Sequence, residues 1–213
     1  MKIIYEDKNI IVIDKPVGID SEHGVPQKIA EAAGISADNV FTVHRLDRDV
    51  GGLMVYAKNR ETAASLGRAI ENGEFVKEYS AKIHGEVEPE GRLEDFLFKD
   101  SSKNKVFVVK KERKGVKKAA LRYNTERVET LEDGEKITTV HIVLETGRTH
   151  QIRVQFASRK NPLVGDKKYG AKDNEKQIAL KSVKISFPSL EKNSCGSCSG
   201  SKRLVFELEG FDA

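Results

Sequence analysis

The chain has 213 residues, of which 38% are hydrophobic and 33% charged, a balance typical of a globular protein that excludes a mainly disordered one. No apolar run approaches the roughly 20 residues needed to cross a bilayer, and the N-terminal residues lack the apolar stretch of a signal peptide, so we expect no membrane partner and a cytoplasmic location. The formal net charge of +4 is too small to indicate a polyanionic partner by itself.

The first part of the chain predicts a hairpin followed by a helix. The β-branched runs 3–5 and 10–13 are separated by a turn composition, which predicts two paired strands. The segment Lys15-Pro16-Val17-Gly18 ends the second of them, because proline and glycine interrupt strands. A short helix is expected over 27–33, with Gly34 as its C-terminal stop.

The middle of the chain predicts one more helix and then a series of strands. Residues 51–58 are mainly apolar and indicate a buried strand, and Asn59 is a suitable cap for a helix that Gly73 ends. From 75 to 145 the pattern is mostly that of strands, the clearest being 106–109, 119–128 and 137–144. The last two are joined across Asp133-Gly134, a strong hairpin signal.

The last part of the chain predicts a helix and two strands. We expect the helix over 149–157, with Thr149 as its cap and Ile152 and Phe156 on its apolar face, and the strands near 178–187 and 204–208. Strands outnumber helices, and neighbours in sequence are expected to pair. The fold class is therefore predicted to be α+β, a single domain over 1–213 with a central mixed, largely antiparallel sheet flanked by helices and loops.

A spacer over about 191–202 contains Cys195 and Cys198 and is rich in serine and glycine. A structural zinc site needs four ligands, and no second cysteine pair supplies the other two. We therefore expect a loop insertion at the surface, while partial metal binding and a reversible disulfide stay open for the two cysteines.

Positive charge is concentrated in two segments. Residues 101–120 hold eight lysines or arginines and a single acid, Glu112. The second basic run consists of Arg148, Arg153, Arg159, Lys160, Lys167 and Lys168. Such patches are typical of proteins that bind a phosphate backbone, although the solvated face of an ordinary surface explains the first segment equally well.

Acids and arginines alternate in His44-Arg45-Leu46-Asp47-Arg48-Asp49, just before a glycine pair and an apolar strand. An arginine beside a carboxylate favours its ionised form, which suits a nucleophile or general base better than a general acid. A salt-bridged surface turn has the same composition. A hydrolase with Asp47 and Asp49 as paired carboxylates is another alternative, and it would need a second acid of raised pKa. The segment alone leaves catalysis open.

Two further clusters lie later in the chain. The segment 147–153 places Arg148 and Arg153 near the start of the predicted helix, where both the helix N-terminus and the arginines favour anionic ligands. A capped helix with solvated arginines is the alternative. The segment Lys77-Glu78-Tyr79 opens a strand with a tyrosine that either fills the core or, in an enzyme acting on RNA, stacks on an extruded base.

Taken together, these segments resemble the motifs of the RluA-type RNA pseudouridine synthases, of the RluA/RsuA superfamily. In order along the chain they are Lys15-Pro16-Val17-Gly18, 44–55, Lys77-Glu78-Tyr79, 147–153 and 162–169, and the resemblance spans about residues 3–209. The chain departs from the family pattern at Val50-Gly51, where Thr-Ser is common, at Lys181, where histidine is frequent, and in the cysteine-containing spacer, where a His-Pro turn is usual. These departures leave the RNA target more open than the reaction.

The resemblance implies an isomerase that converts specific uridines of structured RNA, ribosomal or transfer, to pseudouridine without cofactor or metal. It implies that Asp47 is the catalytic carboxylate, that Tyr79 stacks on the base and that Arg153 pairs with the aspartate. Arg45 would help to displace the target base. The residues expected to bind RNA are Arg45, Lys77, Lys105, Lys117, Arg148 and His150.

The resemblance also bears on domains and alternatives. Many relatives carry an S4-type RNA-binding domain at the N-terminus, and we expect none here; a monomer is expected as well. The main rival is an RNA-binding protein that keeps the fold without the catalysis. Such a protein would have lost Asp47, Tyr79 or Arg153, and this chain has all three.

Overall fold

The computed structural model describes residues 1–190 and 202–211, which divide into two compact units. The first unit comprises Met1–Lys77 and Ser182–Leu208, and the second comprises Glu78–Lys181 and Glu209–Ala213. The predicted loop insertion with Cys195 and Cys198 lies outside the described residues, and the single domain over 1–213 stays a prediction.

The elements alternate between strands and a few helices. In chain order they are β1 (Lys2–Glu6), β2 (Ile10–Lys15), α1 (Gly24–Ala33), β3 (Phe41–Thr42), β4 (Gly51–Ala57), α2 (Arg60–Glu71), β5 (Val76–His84), β6 (Glu90–Asp100), β7 (Lys105–Val109), β8 (Val116–Thr130), β9 (Lys136–Leu144), α3 (Gln151–Ala157), β10 (Leu180–Pro188) and β11 (Arg203–Glu207). Two 3-10 turns add Ala37–Asn39 and Lys167–Tyr169.

In the first unit the strand order is β1-β2-β4-β10, with β3 added to β4 and β11 to β10. In the second unit the order is β5-β9-β8-β6-β7, and each neighbouring pair is antiparallel. The predicted α+β class with a largely antiparallel sheet is therefore confirmed. None of the helices described here is both long and apolar enough to cross a membrane.

The core of the first unit forms where β2 and β4 run antiparallel beneath α2. All of β4 is buried, in agreement with its continuous apolar run, which is typical of a strand covered on both faces. Phe75 and Phe187 stack with ring centroids 5.1 Å apart at one end of this core. The buried residues of this core are Ile10, Val12, Leu53, Val55, Ala57, Leu66, Ala69, Phe75, Ile185 and Phe187.

Local signals placed most helix ends correctly. The Asn59 side chain accepts a hydrogen bond from the Thr62 amide and caps α2, and Gly34 ends α1 in the left-handed conformation, with φ of 64°. The helix predicted over 27–33 begins earlier, at Gly24. Pro26 lies within its first turn, where a missing amide hydrogen costs nothing because first-turn amides have no partner inside the helix.

The predicted start and cap of α3 are wrong. The helix begins at Gln151, and His150 precedes it with φ of 50° and no capping side chain. The side-chain oxygen of Gln151 accepts from the Arg148 amide (3.0 Å) and from the Thr146 hydroxyl (2.7 Å), which precede the helix, so it braces this turn without capping α3. The helix also has no solvated face over 151–156, because all of these residues are buried.

We expect Gly52→Ala to lower the free energy of unfolding by more than about 3 kcal/mol, because a side chain at this backbone angle is strained and the sheet must also open to accept it. Gly52 has φ of 112°, and a Cβ atom there would lie 2.2 Å from the Ser182 carbonyl oxygen. The matched control is Gly67→Ala in α2, where the added methyl meets no atom within 4 Å. It should raise stability by about 0.5–1 kcal/mol.

Denaturant unfolding followed by circular dichroism measures both variants, since the chain has no tryptophan to report by fluorescence. Equal unfolding midpoints for Gly52→Ala and the wild type would contradict the close approach of the two strands.

Candidate active site

Asp47 lies on the loop between β3 and β4, and hydrogen bonds hold the backbone on both sides of it. On one side the Ser21 hydroxyl donates to the Leu46 carbonyl (2.9 Å). On the other side the Arg48 carbonyl accepts from the Gly18 amide (2.8 Å), and Arg48 Nε donates back to the Gly18 carbonyl (2.8 Å). The segment that follows β2 therefore fixes the position of the Asp47 backbone.

Lys15, the last residue of β2, connects these two segments from the inside. Its side chain is fully buried, and its Nζ donates to the carbonyls of Pro16 (3.0 Å), Ile19 (3.0 Å) and Arg48 (3.4 Å). A buried ammonium group is stable only when its hydrogens are bonded, and these three carbonyls satisfy them. The sequence motif that contains Lys15 does not by itself indicate this role.

Negative charges in this unit stabilise the buried Lys15 ammonium group. Burial lowers the pKa of the Lys15 amine to about 8, while the carboxylates of Asp20, Asp47 and Asp49 act in the opposite direction. The three acids thus lie within electrostatic reach of a buried cation. Asp47 has a favourable charge partner inside its own unit, in addition to the arginines beside it in sequence.

His44 fastens the same segment to β4. Its Nε2 accepts from the Val55 amide (3.1 Å), and its ring packs against Phe75 with centroids 5.2 Å apart. Burial first, and then the charge of Lys77, lower the pKa of His44 to about 3. Since Nε2 is an acceptor, the ring is neutral with its proton on Nδ1, which has no hydrogen-bond partner among the described residues. His44 is therefore a structural residue, and the sequence reasoning gave it no role.

The residues of the first unit that were expected to bind RNA differ in exposure. Arg45 is exposed and forms an ion pair with Glu22 (3.0 Å) at the surface, where such pairs contribute little to stability. Its guanidinium is therefore available to a phosphate at small cost. Lys77 is half-buried at the start of β5. RNA binding by either stays a prediction.

In the second unit, Asp166 binds the edge of the Arg153 guanidinium and the Tyr169 ring lies against its face. Its side chain is only 2% exposed, and it forms a two-bond fork with Asp166, from Nε to Oδ2 (2.7 Å) and from Nη2 to Oδ1 (2.9 Å). Its Cζ lies 5.2 Å from the ring centroid of Tyr169. For Arg153 the alternative of a solvated arginine near the helix start is therefore wrong, because a buried carboxylate binds it.

Asp166 and Tyr169 are site residues that sequence reasoning missed. Both lie in the 162–169 motif, which was recognised without a role for any member. The Tyr169 hydroxyl is 2.8 Å from His150 Nδ1 and accepts from the Val106 amide (2.9 Å), so this ring joins Arg153 to β7. The signal that the sequence offers for these two residues is their place in the 162–169 motif.

The other predicted residues of the second unit are spread over its surface and interior. Arg148 is exposed and donates from Nε to the Lys118 carbonyl (3.0 Å), and Lys117 is exposed on β8. Lys105 is half-buried at the start of β7. Arg159, counted in the second basic run, is bound by Asp95 (2.8 Å), which reduces its value as a phosphate contact.

Tyr79 lies in β5, opposite Ile142 of β9, and is 5% exposed. Asp47 belongs to the first unit, whereas Tyr79 and Arg153 belong to the second. The structure brings Asp47 together with Lys15, and Arg153 together with Asp166 and Tyr169. A joint role for Asp47, Tyr79 and Arg153 stays a prediction.

Comparison with known proteins agrees with the sequence motifs. A family model described as RNA pseudouridylate synthase matches residues 9–158. The ribosomal large subunit pseudouridine synthase D of Yersinia pestis is 32% identical over 181 residues, which are 81% of this chain and 53% of that protein. An uncharacterized RNA pseudouridine synthase of Mycoplasma genitalium is 31% identical over 211 residues, 90% of this chain and 64% of its own. The chain thus spans between half and two thirds of the length of these curated relatives.

Two solved structures share the fold. The human RNA pseudouridylate synthase domain containing 1 superposes with a TM-score of 0.75 at 21% identity, covering 88% of this chain and 78% of that one. The human RNA pseudouridylate synthase domain containing 4 superposes with a TM-score of 0.74 at 22% identity, covering 98% and 88% respectively.

The lowered pKa of the half-buried His44 predicts a pH dependence of stability. The unfolded chain binds a proton at His44 below about pH 6.5, while the folded chain, with a pKa of about 3, does not. Its contribution is therefore fully present above pH 6.5 and decreases as the pH falls toward 3, by about 2 kcal/mol at pH 5. In His44→Gln, an amide oxygen replaces Nε2 as acceptor and does not titrate.

We therefore expect the free energy of unfolding to decrease less between pH 7.5 and 5 in His44→Gln than in the wild type, by about 2 kcal/mol. Urea unfolding at the two pH values measures the difference. Parallel pH profiles for the two proteins would contradict a neutral, half-buried His44.

Proposed function

Because the chain belongs to the RNA pseudouridylate synthase family, we propose that it isomerises specific uridines in structured RNA to pseudouridine, with Asp47 as its catalytic carboxylate. The family match over residues 9–158, which includes the whole of the 44–55 motif, carries the proposal. Several relatives are named ribosomal large subunit pseudouridine synthases, which makes large-subunit ribosomal RNA the first substrate to test and transfer RNA the second.

The reaction exchanges one glycosidic bond for another. The bond between N1 of uracil and C1′ of the ribose breaks, the base turns, and C5 bonds to C1′. The C5 hydrogen leaves as a proton and N1 gains one, so no water, metal or redox cofactor enters the balance. Asp47 would either attack the nucleoside or remove a proton from it, and both routes need an ionised carboxylate held in place.

The geometry of the first unit supports this role for Asp47. The carbonyls of Leu46 and Arg48 on either side of it are bonded to Ser21, Gly18 and Lys15, so the carboxylate extends from a rigid backbone. A catalytic group positioned in this way loses little entropy when the substrate binds. The buried charge of Lys15 also favours an anion in the loop.

For the second unit we propose that Tyr79 provides the aromatic surface that holds the detached uracil, and that Arg153 provides a positive charge for the reaction. The fork with Asp166 and the ring of Tyr169 keep the Arg153 guanidinium in one orientation, as such a role requires. Contacts to the RNA phosphates are assigned to Arg45, Lys77, Lys105, Lys117, Arg148 and His150. A cytoplasmic location and a monomeric state are part of the same proposal.

Mapping of modified uridines tests the function. RNA from a strain that lacks the gene is incubated with the purified protein and treated with carbodiimide, which leaves an alkali-stable adduct on pseudouridine. We expect new reverse-transcriptase stops at a few discrete uridines. Abasic sites at uridines would instead indicate the hydrolase alternative, and an unchanged stop pattern in total RNA would contradict the proposal.

The assignment of Asp47 has its own test. Asp47→Asn keeps the size of the side chain and removes its charge, so turnover should decrease by about 10⁴-fold or more while RNA affinity stays within about twofold. The matched control is Asp49→Asn, an exposed carboxylate on the same loop, which should keep turnover within about threefold of the wild type. Single-turnover pseudouridine formation and filter binding measure the two quantities. Similar losses in both variants would mean that net charge on the loop, and not Asp47, matters.

A further inference from the structure

The sheet of the second unit has one face that α3 covers and one that it does not. Leu97 of β6 belongs to a buried cluster with Val154 of α3. On the same strand, Asp95 accepts hydrogen bonds from Gln155 (2.8 Å) and Arg159 (2.8 Å), which follow Val154. Successive side chains of a strand point to opposite faces. Phe96, between Asp95 and Leu97, and Phe98, after Leu97, therefore point away from α3.

Three phenylalanines lie on that uncovered face. Phe96 and Phe98 are the alternate residues of β6, and Phe98 is directly opposite Phe107 of β7 in the register. Residues directly opposite one another in an antiparallel pair share a face, so Phe107 joins the other two. Phe107 is 36% exposed, and Phe96 and Phe98 are half-buried. We refer to Phe96, Phe98 and Phe107 as the phenylalanine face.

Cations lie against these rings. The Cζ atom of Arg113 is 5.2 Å from the Phe98 ring centroid. Lys105 Nζ is 5.9 Å from the Phe107 centroid and 5.2 Å from that of Tyr169, so it lies at the strand edge between the two rings. Both belong to the segment 101–120, which holds eight basic residues and one acid. Toward β8 the charge is balanced, because Lys118 forms an ion pair with Glu94 (2.7 Å). The excess of positive charge therefore lies on the β6–β7 side, which also carries the phenylalanine face.

This combination selects one class of partner. An exposed aromatic ring beside two half-buried ones, flanked by unbalanced cations, suits a polyanion that carries flat aromatic groups, which describes a single strand of RNA. An apolar protein surface would leave Lys105 and Arg113 desolvated, and a double helix keeps its bases stacked inside, where the rings do not reach them.

We propose that the phenylalanine face is a stacking platform for an unpaired segment of the substrate RNA, with Lys105 and Arg113 contacting its phosphates. The proposal rests on the proposed function, because that function makes RNA the substrate. It assigns to the basic segment 101–120 a preference for unpaired nucleotides, in addition to nonspecific attraction of phosphates.

Binding of a short fluorescent oligoadenylate, followed by anisotropy, tests the platform. This probe is single-stranded and contains no uridine, so it reports on stacking without turnover. Phe107→Ala should weaken its binding about tenfold or more, and Arg113→Gln should weaken it and reduce the salt dependence by about one phosphate contact. Binding of an RNA duplex of equal length should change less than twofold in Phe107→Ala.

Matched control variants come from the first unit. Tyr5→Ala removes a ring that is 37% exposed, close to the 36% of Phe107. Arg60→Gln removes a guanidinium that lies 5.9 Å from the ring centroid of Phe41, compared with 5.2 Å for Arg113 and Phe98. Both controls should bind oligoadenylate with wild-type affinity.

Two outcomes overturn the platform. If Phe107→Ala binds oligoadenylate with wild-type affinity, the rings do not stack on the bases. If that variant loses affinity equally for single strand and duplex, the face acts only as a charged surface. Failure of the proposed function is distinguishable. If the protein modifies no cellular RNA but Phe107→Ala weakens oligoadenylate binding, the platform is supported and the proposed function is contradicted. If the protein modifies RNA but Phe107→Ala binds oligoadenylate normally, the function is supported and the platform is contradicted.

Discussion

A single buried ammonium group holds the loop that carries Asp47. Removing a lone cation from water costs several kcal/mol, and Lys15 offsets that cost with three backbone carbonyls and the nearby charges of acidic side chains. One of these carbonyls, that of Arg48, also accepts the Gly18 amide. The loop before α1 and the loop before β4 therefore share one anchor, at the residue that follows Asp47.

The second unit also contains a buried cation whose hydrogens are bonded, here the Arg153 guanidinium with the Asp166 carboxylate. Arg153 is buried, and Asp166 binds it through two nearly parallel hydrogen bonds. The Tyr169 ring covers the guanidinium face, and its hydroxyl accepts a hydrogen bond from the amide of Val106 in β7. The charge proposed to serve the reaction is thus connected to the strand that bears Phe107. RNA contacts made by β7 would act on the same packed cluster.

Much of the fold followed from local patterns, and part of the site did not. Hairpins, buried strands and the cap at Asn59 depend on neighbouring residues, which the sequence displays directly. The role of Lys15 depends on Arg48, 33 positions away, and that of Arg153 on Asp166, so neither could be read from spacing. Thr149 failed as a cap because His150 adopts the left-handed conformation and the helix begins only at Gln151, without a capping side chain. Asp47 itself was ambiguous alone, and only its resemblance to a family made it a candidate.

The most direct test of the account is the release of tritium from RNA labelled at C5 of uridine, since bonding C5 to the ribose must expel that hydrogen. Wild-type protein should release tritium with the RNA chain intact and without free uracil. Lys15→Met, confirmed as folded by circular dichroism, should release it about 10²-fold more slowly, because the loop of Asp47 loses its anchor. Release at the wild-type rate by folded Lys15→Met would contradict the account.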